Sequence, residues 1–223
     1  MAERVVRGAG LRARLRAVRG DGGLTLTELL VSMIVFAVAM VMITSATIIV
    51  MNTAGDARAQ AQTVTELRQS VAVIDRQVRS GNVLYSPANE PALLSSCTAD
   101  GSTGGSCMRI LTQANGTEKC VQWQVLADPT GDGILRMRSW APDWQTTGDL
   151  TGWSTVARGL RADAGAPFTL LGASTPYKER ALKLRVVGID GRSGKDVTVE
   201  STLTGRNTSY GYDAGQCTPV PPE

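Results

Sequence analysis

The most restrictive feature of the sequence is an uninterrupted apolar run over residues 29–51, which contains no charged residue, Gly or Pro. As a helix that rises ~1.5 Å per residue, this run is roughly 35 Å long, which is enough to cross a bilayer. It is longer than the ~7–15 apolar residues of an ordinary secretory signal, although Ala57-Arg58-Ala59 would offer such a signal a cleavage site. The run therefore predicts a membrane-spanning helix.

The apolar run follows an Arg-, Ala- and Gly-rich segment, residues 1–23, which we interpret as a leader peptide. Six arginines against two acidic residues give this leader a charge of +4, so the rest of the chain carries −1 of the total of +3. No arginine follows the run until Arg58. The positive-inside rule predicts a leader in the cytoplasm and a C-terminal part outside. Because the body is not basic, we expect no nucleic-acid partner.

The helix is predicted to continue beyond the apolar run. Apolar residues recur there at spacings of three and four, as expected for one face of a helix: Val64, Leu67, Val71, Ile74 and Val78. No Pro occurs from Leu24 until Pro87. We expect one helix from about Leu26 to about Arg79, ended by Gly81-Asn82; two helices with a break at residues 52–56 are the alternative. The stripe is expected to pack on the chain's own sheet rather than on a second subunit.

Beyond Pro87 the pattern changes to short alternating segments that predict strands. They cover residues 108–113, 120–125, 134–140, 168–171, 181–187 and 197–203, with loops at 92–105 and 141–152. The expected fold class is α+β, with a long N-terminal hydrophobic helix packed on a mostly antiparallel sheet. The expected segments are a leader (1–23), a membrane or filament-core helix (24–51), its amphipathic continuation (52–86) and a β-rich extracytoplasmic domain (87–223).

Composition argues against catalysis and metal binding. The chain has no His, which removes Ser-His and Cys-His nucleophilic pairs and the commonest metal ligand. No carboxylate pair stands out by its spacing. Residues 128–133 resemble a calcium loop, but Arg136 and Ser139 occupy later positions where a bidentate Glu is needed, so we interpret them as a hairpin turn. We predict no enzyme activity, no cofactor and no metal site.

Four cysteines, Cys97, Cys107, Cys120 and Cys217, all follow the apolar run, and none forms a CxxC pair. An even number on the exported side of a membrane protein predicts two disulfides, with free buried thiols as the alternative. Four cysteines allow three pairings. We favour Cys97–Cys107, which closes a Gly/Ser-rich loop, and Cys120–Cys217, which ties down the C-terminal segment.

Glu28 is an acidic residue at the start of the apolar helix, where a charge is costly and is usually functional or paired. It lies four residues after Leu24, which is about one helical turn. Cleavage after Gly23 would give Leu24 a new α-amino group, protonated near neutral pH. A subunit would then carry a cation and an anion at the same depth, and neighbouring subunits could pair them. The alternative is that Glu28 extends to the lipid headgroups of an ordinary anchor.

The stretch Gly23, Thr25, Leu26, Thr27, Glu28, Leu29, Leu30, Val31 closely resembles the N-terminal signal of the type IV pilin superfamily. The resemblance implies that a prepilin peptidase cuts between Gly23 and Leu24 and methylates Leu24. It also implies that Glu28 guides assembly by pairing with a neighbour's N-terminus. The implied partners are this peptidase, other pilins or pseudopilins, an inner-membrane assembly platform and membrane lipid. Implied localisation is a single pass through the cytoplasmic membrane, then a pilus or pseudopilus at the cell surface.

Further features are similar to minor pilins and pseudopilins rather than to major pilins. Residues 197–207 resemble their closing strand, and residues 120–138 resemble their central hairpin. The apolar segment lacks the Pro that major pilins commonly carry. Leu24 is a departure from the superfamily, in which Phe or Met is more usual at this position, and we expect cleavage to tolerate it. We therefore expect a minor subunit of a type IV pilus, a type II secretion pseudopilus or a DNA-uptake pseudopilus. The alternative is an unprocessed single-pass extracytoplasmic binding protein.

Overall fold

The computed structural model describes residues 23–99, 103–113, 116–172, 180–205 and 215–223. Residues 1–22 of the leader lie outside these ranges, and so do Arg206 and Asn207 at the end of the segment that resembles the closing strand of minor pilins. The chain divides into two compact units, Met1–Thr53 and Ala54–Glu223. Helix α1 is Leu26–Arg79, and it is helical throughout residues 52–56. The prediction of one long helix is confirmed, and the alternative of a break at those residues is wrong.

The second unit is built on an antiparallel sheet of eight strands, so the predicted fold class is confirmed. Its strands are β1 (Gly81–Leu84), β4 (Cys107–Thr112), β5 (Lys119–Ala127), β6 (Gly133–Trp140), β7 (Ser154–Leu160), β8 (Phe168–Leu171), β9 (Ala181–Ile189) and β10 (Asp196–Thr204). Their order in the sheet is β1-β4-β5-β6-β7-β9-β10, and β8 also pairs with β9. The short strands β2 (Thr98–Ala99) and β3 (Thr103–Gly104) form a separate pair, and a one-turn helix α2 is Trp144–Thr147.

Two strands of the sheet were not predicted from the sequence. Strand β1 begins at Gly81, which we had assigned to the end of the helix. A Cβ at Gly81 would lie 2.8 Å from Ile110 Cγ2, so glycine allows the chain to turn closely from α1 into the sheet. Strand β7 lacks an alternating pattern because most of its residues are exposed or half-buried on both sides.

One face of the sheet is covered by the second part of α1. Leu67, Ile74 and Val78 are buried there, and Val64 and Val71 pack beside them. From the sheet, Trp123 and Leu135 are completely buried in the same cluster, and the Trp123 indole N–H donates to Gln77 Oε1 at 2.6 Å. The predicted stripe therefore packs on the chain's own sheet.

The opposite face of the sheet is covered by residues 85–99 and 103–106 and by residues 215–223. A second apolar cluster fills this layer and consists of Val83, Tyr85, Leu111, Cys120, Trp140 and Cys217. Both disulfides lie here, and they are Cys97–Cys107 and Cys120–Cys217, the pairs that we favoured from the sequence. All four cysteines are buried, and the disulfides join the covering layer to β4 and β5.

Candidate functional site

The first turn of α1 is the candidate site, and Thr25 caps it. The Thr25 backbone carbonyl accepts hydrogen bonds from the Glu28 and Leu29 amides at 3.0 and 3.1 Å. Its side-chain hydroxyl accepts a further bond from the Glu28 amide at 3.3 Å. Sequence reasoning missed this cap, although Thr-x-x-Glu before an apolar run is the signature of a capping box. Glu28 therefore lies at the third helical position.

Glu28 is exposed in this first turn, where the helix dipole favours a negative charge. It is the only ionisable side chain between Leu24 and Gly55 in the sequence. The following hydroxyls bond to the helix itself: those of Ser32, Thr44, Ser45, Thr47 and Thr53 donate to carbonyls three or four residues earlier, at 2.7–2.9 Å. Because these hydroxyls are satisfied within the helix, Glu28 is the one ionisable side chain of this segment that is costly to place in lipid.

The predicted cleavage position is open. Gly23 and Leu24 are both exposed, and a Cβ added at Gly23 would meet nothing within 4 Å. A larger side chain at position 23 would therefore contact no neighbouring atom, and packing does not require glycine there. A reason for Gly23 has to come from something outside the described fold.

The helix that carries this turn is exposed on every side. Each residue from 23 to 54 is exposed, including more than a dozen large apolar side chains. By length and composition, α1 could cross a membrane, and its most apolar window has no buried residue. This exposed apolar surface is far larger than soluble monomers carry, so the segment needs lipid or other protein around it.

The globular unit contains a buried ion pair that sequence reasoning missed. Arg109 Nε lies 2.8 and 2.9 Å from the two carboxylate oxygens of Glu90, and these residues are 5% and 1% exposed. Arg109 Nη1 also donates to the Cys217 carbonyl at 2.9 Å, and the guanidinium lies 4.4 Å from the Tyr85 ring centre. Burial raises the pKa of Glu90, and Arg109 opposes this rise. The pair joins the segment that carries Tyr85 and Glu90 to β4 and to the C-terminal segment, which is a structural role.

The calcium-like loop is a hairpin turn between β5 and β6, as predicted. Asp128 Oδ1 accepts hydrogen bonds from the amides of Thr130 and Asp132 at 2.8 and 3.1 Å. A hydrogen bond from the Thr130 side chain is the main cause that lowers the pKa of Asp128. Within the described ranges, no group of three or more His, Cys, Asp or Glu could hold a metal ion.

Two open cavities of about 440 and 550 Å³ lie beside the second part of α1, next to β7. Glu66 is the only carboxylate among their described lining residues, and Arg158 lines both. One carboxylate beside one arginine does not form an acid–base pair for hydrolysis.

Comparison of the chain with protein-family models, with curated proteins and with solved structures found no match. The architecture of a long N-terminal apolar helix with an antiparallel sheet is compatible with a pilin-like protein.

Proposed function

We propose that the chain is a minor pilin or pseudopilin that a prepilin peptidase cuts after Gly23. The observation that carries this proposal is a lone carboxylate, Glu28, in the first turn of a helix whose next residues are apolar and exposed on every side. An anchor that only has to hold a domain in a membrane needs neither this charge nor a glycine at position 23.

The proposed assembly contact pairs Glu28 with the new α-amino group of a neighbouring subunit's Leu24. In a membrane the carboxylate is unfavourable, and a cation at the same depth offsets part of that cost. The contact therefore favours subunits at one register, and it links insertion into the assembly to prior cleavage. Methylation of Leu24 keeps the cationic character of this amine.

The proposed partners follow from the exposed part of α1. Before assembly its apolar surface contacts lipid, and afterwards it contacts the corresponding helices of other pilins or pseudopilins. The globular domain then lies outside the cytoplasmic membrane, where its two disulfides are stable. The assembly is a type IV pilus, a type II secretion pseudopilus or a DNA-uptake pseudopilus.

Intact-protein mass spectrometry of the chain from its native membrane, with and without the prepilin peptidase, tests the cleavage. We expect a chain that begins at Leu24 with one added methyl group only when the peptidase is present. Gly23→Ala should block the conversion, whereas the adjacent control Gly22→Ala should leave it intact. A chain that keeps residues 1–23 in cells with active peptidase would contradict the proposal.

A second candidate function is an unprocessed, membrane-anchored extracytoplasmic binding protein. The cap at Thr25 favours it, because Glu28 at the third helical position also fits a capping box without any assembly role. Gln can fill the same capping position but carries no charge. If Glu28→Gln behaves like wild type while Glu28→Ala does not, the capping role is sufficient; if both variants are cleaved but excluded from the assembly, the charge is required.

A further inference from the structure

The C-terminal residues 218–223 lie in a groove on the outer face of the sheet, and this groove has the chemistry of a peptide-binding site. Its walls are formed by side chains from β6, from α2 and from the loop before β2. We call it the tail groove and define it by Ser96, Arg136, Arg138, Trp140 and Trp144. The segment that fills it reads Thr-Pro-Val-Pro-Pro-Glu.

The tail groove holds its segment mainly through backbone carbonyls. The indole N–H of Trp144 donates to the Pro219 carbonyl at 2.9 Å. Arg138 donates from Nη2 to the Pro221 carbonyl at 2.7 Å and from Nη1 to the Pro222 carbonyl at 2.6 Å. Proline suits such a site because it presents a carbonyl and has no N–H to satisfy.

Two further contacts select for the side chains of the segment. Val220 packs against the apolar cluster that contains Trp140 and Cys217. The Glu223 carboxylate accepts a hydrogen bond from the Ser96 hydroxyl and lies 3.5 Å from Arg136 Nη2. The groove therefore matches an apolar residue, two consecutive prolines and an acidic residue, in that order.

The two arginines are held in position by residues other than the segment. Gln122 Oε1 accepts from Arg138 Nε at 2.9 Å, and Gln124 Oε1 accepts from Arg136 Nη2 at 2.7 Å. The Trp153 ring lies 4.1 Å from the Arg136 guanidinium and 4.4 Å from that of Arg138. Burial lowers the pKa of Arg138 to about 10, so this cation depends on the oxygens around it. Such prior orientation is typical of a recognition site.

We propose that the tail groove is an exchangeable docking site, and that it accepts residues 218–223 of a second copy of this chain in place of its own. The Cys120–Cys217 disulfide holds the segment only up to residue 217, and the contacts beyond it are non-covalent. In a reciprocal exchange each copy gives one segment and receives one, so the same hydrogen bonds form again. A chain's own segment differs from that of a second copy only in its covalent tether to the groove, which gives it an effective concentration in the millimolar range. This proposal does not depend on cleavage at Gly23.

A chain shortened after Cys217, kept full-length at its N-terminus and held in lipid nanodiscs, provides an empty groove that retains all four cysteines. The probe is a fluorescent peptide with the sequence of residues 218–223, and binding is measured by fluorescence anisotropy. We expect saturable binding at one peptide per chain. Arg138→Ala in the shortened chain should weaken binding at least about tenfold, because two charged hydrogen bonds are lost. The partly exposed Arg161, which pairs with Asp196 outside the tail groove, gives the matched control Arg161→Ala, which should leave binding unchanged.

Exchange between copies is tested with a full-length donor that carries Arg138→Ala, so that its own groove releases the segment. Donor and shortened acceptor are placed in separate nanodiscs with different fluorophores. Energy transfer between them, removed by excess peptide, is the expected result. If the acceptor keeps its disulfides and its circular dichroism but binds no peptide, or if it binds peptide but never the donor, the proposal is wrong.

Discussion

Residues 26–53 and residues 54–79 belong to one continuous helix, yet their surroundings are opposite. In the first part every residue is exposed, and apolar side chains occupy all faces. In the second part Leu67, Ser70, Ile74 and Val78 are buried along a single stripe, and charged residues occupy other faces. The backbone hydrogen bonds follow the same helical pattern in both parts. The distribution of apolar and polar side chains, and not the secondary structure, therefore indicates the surroundings that each part requires.

The difference also separates two sources of helix stability. The first part is rich in Val, Ile and Thr, which are weak helix formers in water because their χ1 angles are restricted. In lipid an unpaired backbone group is so costly that such a segment becomes helical despite these residues. The second part depends instead on packing against the sheet.

Truncating one isoleucine in each part of α1 should have the largest difference in effect. Ile74 is 0% exposed and Ile34 is 56% exposed. Ile74→Ala should lower the free energy of unfolding of the globular unit by about 2–5 kcal/mol, because it removes buried methyl groups and leaves a cavity. Ile34→Ala should change it by less than about 0.5 kcal/mol. Denaturant titration in detergent, followed by tryptophan fluorescence, measures both effects. Equal effects would show that the stripe is not part of the core.

A charge placed in each part tests the assignment of the two media. Ala39 and Ala61 are both exposed alanines of α1. Ala39→Arg should cost about 2.5–3.5 kcal/mol in membrane insertion, because it places a charge within the apolar part. Ala61→Arg lies on the exposed side of the second part and should insert like wild type. Alkaline extraction of membranes distinguishes the variants, and an Ala39→Arg chain that stays fully inserted would argue against a membrane span.

The close approach of the second part to the sheet predicts a smaller effect at one glycine. A Cβ at Gly188 would lie 3.0 Å from both Leu67 Cδ1 and Thr63 Cγ2. Gly188→Ala should therefore lower the free energy of unfolding by about 1–3 kcal/mol, as overpacking does. At Gly191 an added Cβ would meet nothing within 4 Å, so Gly191→Ala is the matched control. Thermal unfolding of both variants should show the loss only for Gly188→Ala.

The features that the sequence predicts best depend on local periodicity. The ends of α1, strand β8 and the strands around the two central hairpins follow from the spacing of apolar residues and the positions of Gly and Pro. Strand β7 does not, because its pairing with β6 contains two register shifts and it meets β9 at only one residue pair, Leu160 and Gly188. A strand held in this way shows no alternation to detect.

The residues of the candidate site also differ in how well the sequence predicts them. Glu28 is conspicuous because nothing else between Leu24 and Gly55 can carry a charge. Glu90 and Arg109 lie 19 residues apart with no sequence pattern that links them, and only the fold of the segment that carries Glu90 over β4 brings them together. Their pairing is a long-range packing event without a local pattern, and so is the docking of residues 218–223 against Arg138.

Glu28 lies in a segment without packing partners and Glu90 in a packed domain, so the two carboxylates should differ in their effect on the pH dependence of stability. Burial raises the pKa of Glu90 above its ordinary 4.5, so the folded state binds this proton more tightly than the unfolded state. The contribution of Glu90 to stability is therefore fully present below about pH 4.5, and it is lost as the pH rises through the folded-state pKa.

Replacing Glu90 with Gln should remove this decline from the pH dependence of the unfolding free energy, whatever its effect on the absolute value. Glu28→Gln, in an exposed turn outside the domain, should leave the pH dependence of domain unfolding as it is in wild type. Denaturant titrations across pH 4–7 measure both slopes. An unchanged slope in Glu90→Gln would mean that Arg109 offsets the cost of burial completely, so that Glu90 would be no more sensitive to pH than a carboxylate in water.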